Sequence, residues 1–109
     1  MEAEPILACR LDALAPHERA RHATLTQELL SSARWVQEIP RGYAFRFPDN
    51  PELSRHLVEW VALERRCCPF LEFEILLGLE GEPVILRLTG EQGVREFLAA
   101  ELALENVSK

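Results

Sequence analysis

The stretch "PELSRHLVEWVALERRCCPFLEFEILL", residues 51–77, changes from a helical pattern to a strand pattern at Pro69. Before Pro69, apolar residues recur at the spacing of a core-facing helical stripe: Leu53, Leu57, Trp60 and Val61. After it, apolar and acidic residues alternate: Leu71, Phe73, Ile75 and Leu77 with Glu72 and Glu74. Proline disfavours the helical conformation in the residue before it. We therefore predict a helix, capped by Asp49 or Asn50, that leads directly into a strand with one buried face.

Upstream of this stretch, the pattern predicts a strand, a helix and a hairpin. In "ILACRL", residues 6–11, period-2 alternation puts Leu7, Cys9 and Leu11 on one face, which is expected to be the core side. Pro16 to about Ser32 has helical spacing, with His17 and His22 predicted at the surface. "WVQEIPRGYAFRF", residues 35–47, reads as a hairpin because proline and glycine separate two strand-like runs.

Downstream, "GLEGEP" predicts a turn, and Val84, Leu86 and Leu88 predict the returning strand. Thr89 with Gln92 three residues later reads as a capping box for a last helix through about Leu104.

The predicted order is β-α-β-β-α-β-β-α, which favours an α+β fold. Hairpins that alternate with helices in this order are typical of a two-layer sandwich, a mainly antiparallel sheet with helices on one face. The chain has 109 residues without internal repeats or a linker-like segment, so we predict a single α+β domain over 1–109.

Composition and charge exclude several classes of partner. The formal net charge of −6 disfavours nucleic acid, because binding to its phosphates needs a basic surface, and an anionic membrane is disfavoured for the same reason. The first residues, "MEAEPILACRLD", have neither the basic segment nor the long apolar run of a signal peptide or a membrane span. A cytoplasmic protein is therefore expected, and a homodimer is left open.

Two adjacent cysteines lie at the end of the predicted helix. The three cysteines of the chain do not suggest a disulfide framework, and in a reducing compartment they indicate metal or redox use. Glu64 lies on the apolar stripe three residues before Cys67 and four before Cys68, so its carboxylate is expected near at least one thiol. Cys9, or His56 at the edge of the same helix face, could supply a further donor.

Metal binding is the leading interpretation of this cluster. A reactive thiolate is usually stabilised at a helix amino terminus, whereas these thiols lie at a carboxyl terminus, beside a carboxylate. A bound soft metal ion deprotonates its thiol ligands by its own charge, and thiolates select ions such as copper(I), zinc, mercury or arsenic. Two alternatives stay open: a thiol-dependent redox protein or enzyme, and an interaction module whose cysteines are structural. Cys9, taken alone, is well explained as a core residue.

The segments "ALERRCCPFLEFEI" and "VILRLTGEQGVREFL" resemble a group of short, largely uncharacterised bacterial proteins with an E-x-x-C-C-x-F motif. The motif corresponds to Glu64, Cys67, Cys68 and Phe70 of this chain. Genes for such proteins are often found near mercury or other heavy-metal resistance functions. The resemblance implies metal handling and leaves open whether the protein is an enzyme.

Overall fold

The computed structural model describes residues 10–104, which form three α-helices and one four-stranded sheet. The elements follow a 3-10 turn at Leu11–Ala13 and are, in chain order, α1 Pro16–Ser32, β1 Trp35–Ile39, β2 Gly42–Phe47, α2 Pro51–Cys67, β3 Leu71–Leu76, β4 Val84–Gly90 and α3 Val94–Glu101. The predicted α+β fold, with helices packed on an antiparallel sheet, is confirmed.

The sheet has the strand order β1-β2-β4-β3, and all neighbouring strands are antiparallel. Both hairpins of the sequence prediction are present, and β4 returns between β2 and β3 to join them. Gly42 occupies a point of close backbone approach, because a Cβ atom at this position would lie 1.8 Å from the carbonyl oxygen of Leu88. The central strands β2 and β4 thus pair tightly beneath the helices.

One face of the sheet carries the core. The alternating residues Tyr43, Phe45 and Phe47 of β2 pack beside those of β4, and all are buried. The helices cover this face with a single apolar cluster that includes Leu25, Leu29, Leu53, Leu57, Trp60, Val94 and Leu98. On β3, the acidic residues alternate outward, as the pattern predicts.

Helices α1 and α2 lie antiparallel, because residues later in the sequence of α1 contact residues earlier in the sequence of α2. Polar side chains connect them along their length in the pairs Glu18–Arg66, His22–Glu64, Thr26–Trp60 and Glu28–His56. Asn50 begins α2 by accepting the backbone N–H of Leu53 at 3.0 Å, the capping role predicted for residue 49 or 50.

Two sequence predictions about element ends are wrong. Leu11 lies in the 3-10 turn and is 44% exposed, so it does not extend a first strand into the core; the rest of that predicted strand falls outside the described residues. Thr89 belongs to β4, where it pairs with Gly42 and Glu72, instead of capping a helix. The last helix begins after Gly93, whose left-handed backbone (φ 95°) ends the turn.

Within residues 10–104, no helix combines the length and the apolar character that crossing a membrane requires.

Glu18 connects the start of α1 to the end of α2. One carboxylate oxygen accepts the backbone N–H of Ala15 at 2.9 Å, and the other accepts from Arg66 at 2.8 Å. The bond with Arg66, followed by that with the Ala15 backbone, lowers the pKa of Glu18 from 4.5 to about 2. Because the pKa is lowered by folding, this pairing stabilises the fold above pH 4.5 and is lost as the pH falls towards about 2.

We expect Arg66→Met to move the titration midpoint of Glu18 upward, towards its ordinary value, because the largest cause of its lowered pKa is removed. Carboxyl-carbon NMR over an acid titration measures this midpoint. Arg65→Met is the matched control and should leave it unchanged. A wild-type midpoint near 4.5 would contradict the described pairing.

Candidate metal centre

Helix α2 presents Glu64 and Cys67 to the interior near its carboxyl end. Residues three apart lie on the same helix face, and this face is the apolar one that packs on the sheet. Glu64 is 2% exposed and Cys67 is fully buried. The thiol of Cys67 lies 3.8 Å from Oε1 of Glu64 and 3.6 Å from its carbonyl oxygen. The sequence prediction that this carboxylate lies beside a thiol is confirmed.

Helix α1 contributes His22 to the same point. Its Nε2 atom lies 2.6 Å from Oε1 of Glu64, the oxygen that also faces Cys67. An ionised carboxylate only accepts hydrogen bonds, so with Glu64 ionised Nε2 carries the proton. The ligand atoms of His22, Glu64 and Cys67 all lie within 4.8 Å of one another. Nitrogen, oxygen and sulfur donors thus converge between two helices.

Aromatic packing holds the imidazole in place. The ring of His22 stacks on Trp60, with a centroid separation of 6.2 Å and an interplanar angle of 15°. Trp60 is fixed in turn by Thr26, which accepts its indole N–H at 2.9 Å, and by the edge of Phe73 from the sheet. A metal-binding histidine needs such support, because a fixed ring orientation lowers the entropy lost on binding.

The site is shielded from solvent except at the imidazole. The side chain of His22 is 13% exposed, against 3% for Glu64. Burying an ionised carboxylate is costly without partners, and here two donors converge on one of its oxygens.

Cys68 is buried next to this cluster but is not one of its three members. Its backbone N–H bonds to the carbonyl oxygen of Glu64 at 2.7 Å and completes the last turn of α2. The backbone of Cys68 is not helical (φ −128°, ψ 70°), whereas Cys67 is the last residue of α2, so the two adjacent cysteines differ in backbone conformation.

The structure places His56 elsewhere. Its Nδ1 atom lies 2.8 and 2.9 Å from the two carboxylate oxygens of Glu28. His56 precedes Glu64 by eight residues, which is about 12 Å along a helix, so the structure does not bring it to the cluster. Cys9 lies outside the described residues.

The prediction that His22 is a surface residue is wrong. His22, Leu25 and Leu29 have the i, i+3, i+7 spacing of one helix face, and both leucines are buried. That spacing is the sequence feature from which the inward position of His22 could have been predicted. The partner of His22 could not be read in the same way, because Glu64 lies 42 residues further along the chain.

The chain matches no protein family, curated protein or solved structure with which it was compared. The chemistry of the three converging side chains is consistent with metal coordination. Thiolate, imidazole and carboxylate are all zinc ligands, and the bond lengths of about 2.0–2.3 Å require donor separations of about 3.3–3.6 Å in a tetrahedral site. The observed separation of 3.8 Å between sulfur and oxygen is close to this, whereas the 2.6 Å between nitrogen and oxygen is a hydrogen-bond length and must widen by at least about 0.7 Å to admit the ion.

We expect His22→Ala to destabilise the protein by about 2–4 kcal/mol, because it leaves the buried carboxylate of Glu64 without its closest donor. Urea unfolding of the metal-free protein measures the loss. His56→Ala is the matched control: it breaks a second histidine–glutamate pair between the same helices, but a more exposed one, and should cost less than about 1 kcal/mol. Equal losses of stability in the two variants would contradict the view that the burial of Glu64 makes its pairing with His22 the more important of the two.

Proposed function

We propose that the protein binds a soft or thiophilic metal ion, of the class that includes mercury, arsenic, copper and zinc, at the end of α2. Cys67 and Cys68 are the proposed thiolate ligands, and Glu64 and His22 are the proposed oxygen and nitrogen donors beside them. The single observation that carries the proposal is the convergence of His22, Glu64 and Cys67 within 4.8 Å in a largely buried position.

The burial of the thiols favours metal binding over redox catalysis. A thiol that attacks a substrate is usually partly exposed and lies in an electropositive environment. Cys67 and Cys68 are both fully buried, and Cys67 faces a carboxylate at a helix carboxyl terminus. A positive ion reverses this disadvantage, because the anionic carboxylate and the helix dipole then attract the ion.

Cys9 is included in the proposal as a further thiol donor. Arg10, the next residue in the chain, donates its backbone N–H to the carbonyl oxygen of Cys67 at 2.7 Å. This bond supports the inclusion, because it ties the chain that follows Cys9 to the end of α2.

The biological role that we propose is buffering or transfer of the ion in the cytoplasm, as part of heavy-metal resistance. A reducing compartment keeps thiols available as ligands. The resemblance of Glu64, Cys67, Cys68 and Phe70 to the E-x-x-C-C-x-F motif is the support for this setting.

Native mass spectrometry of the reduced protein, titrated separately with mercury(II), copper(I), zinc(II) and arsenite, tests the proposal. We expect one ion per chain for at least one of these metals, and loss of that binding in Cys67→Ser, because the central thiolate is removed. Cys9→Ser and Cys68→Ser, measured in parallel, report whether either thiol is also a ligand. Far-UV circular dichroism checks that each variant is folded.

Binding that is unchanged in the folded Cys67→Ser variant would contradict the proposed site. Absence of stoichiometric binding for all four metals would contradict the proposed function and favour the redox or structural alternatives.

A further inference from the structure

We infer that the cluster of His22, Glu64 and Cys67 is a mixed nitrogen, oxygen and sulfur site for a divalent cation of intermediate softness, of which zinc is the type. This inference rests on the proposed function and names the class of ion. It goes beyond the cysteine pair, because two of the three donors in the cluster are not thiols.

The identity of the donors is the first argument. Purely thiophilic ions such as copper(I) are bound mainly by thiolate and thioether sulfur, whereas imidazole and carboxylate ligands suit zinc and other divalent first-row ions. The structure holds a nitrogen and an oxygen at 2.6 Å from each other, with one sulfur at 3.8 Å from that oxygen. Only an ion that accepts all three donor types would use the whole cluster.

The formal charge of the donors is the second argument. The three clustered donors alone, a neutral imidazole, one carboxylate and one thiolate, sum to two negative charges, which a divalent cation neutralises; the Cys68 thiolate is a further donor outside this sum. Glu64 and Cys67 are buried, and an uncompensated charge in such an environment is costly. A monovalent ion bound to the same donors would leave one negative charge, and a trivalent ion would leave one positive charge.

The arrangement of the helices is the third argument. The imidazole reaches the cluster from α1 and the other two donors from α2, so a bound ion would join two elements that already pack together. The ring is held against Trp60, and on metal binding its Nε2 atom would give up the proton that it shares with Glu64 and move away from that oxygen to make room for the ion. An adventitious thiolate–metal contact would not require this support.

Buffered titrations of the reduced protein with zinc(II) and mercury(II) test the inference. We expect His22→Ala to weaken zinc(II) binding at least about tenfold and to leave mercury(II) affinity nearly unchanged, because soft mercury(II) binds thiolate far more strongly than imidazole. His56→Ala is the matched histidine control and should leave both affinities unchanged. Glu64→Gln keeps the side-chain shape and should also weaken zinc(II) at least about tenfold, so the test does not depend on one variant.

Zinc(II) affinity that is unchanged in both His22→Ala and Glu64→Gln, but lowered in Cys68→Ser, would overturn the inference in favour of a site made of the two thiolates. That result would leave the proposed metal binding intact. If instead the wild-type protein binds neither ion, both the inference and the proposed function are wrong.

Discussion

The burial of the Glu64 carboxylate is the constraint on which the site depends. An ionised carboxylate inside a protein costs several kcal/mol unless donors or a cation compensate it. In this protein the compensation comes from His22, whose ring nitrogen lies 2.6 Å away, and from the thiol of Cys67. Cys67 lies on the same helix as Glu64, whereas the His22 donor is available only if α1 docks on α2 in one register. The polar pair is therefore both a reason for the docking geometry and the centre of the proposed site.

The sheet helps to position the His22 ring through two aromatic contacts. Phe73 of β3 contacts the edge of Trp60, and Trp60 stacks on the imidazole of His22. The same tryptophan is buried in the core, so the position of the His22 ring is tied to the packing that stabilises the fold. The packing of Trp60 and Phe73 therefore affects both the stability of the fold and the orientation of the His22 ring.

Much of the fold could be predicted from sequence, because helix and strand patterns are local. The bounds of α1 and the helix-to-strand change at Pro69 follow from spacing and from proline chemistry. Glu64 and Cys67 were predictable neighbours, because they are three residues apart on one helix. The contact with His22 was not, because it depends on how two helices pack. Thr89 failed for a related reason: its strand partners are distant in sequence, and they outweigh a local capping pattern.

The metal site that we propose lies between α1 and α2 and has an imidazole among its ligands. X-ray absorption at the zinc edge of the zinc-loaded protein measures this most directly. We expect sulfur together with nitrogen or oxygen neighbours, and the outer-shell scattering of one imidazole that is lost in His22→Ala and retained in His56→Ala. A shell of sulfur alone, without imidazole scattering in the wild-type protein, would contradict it.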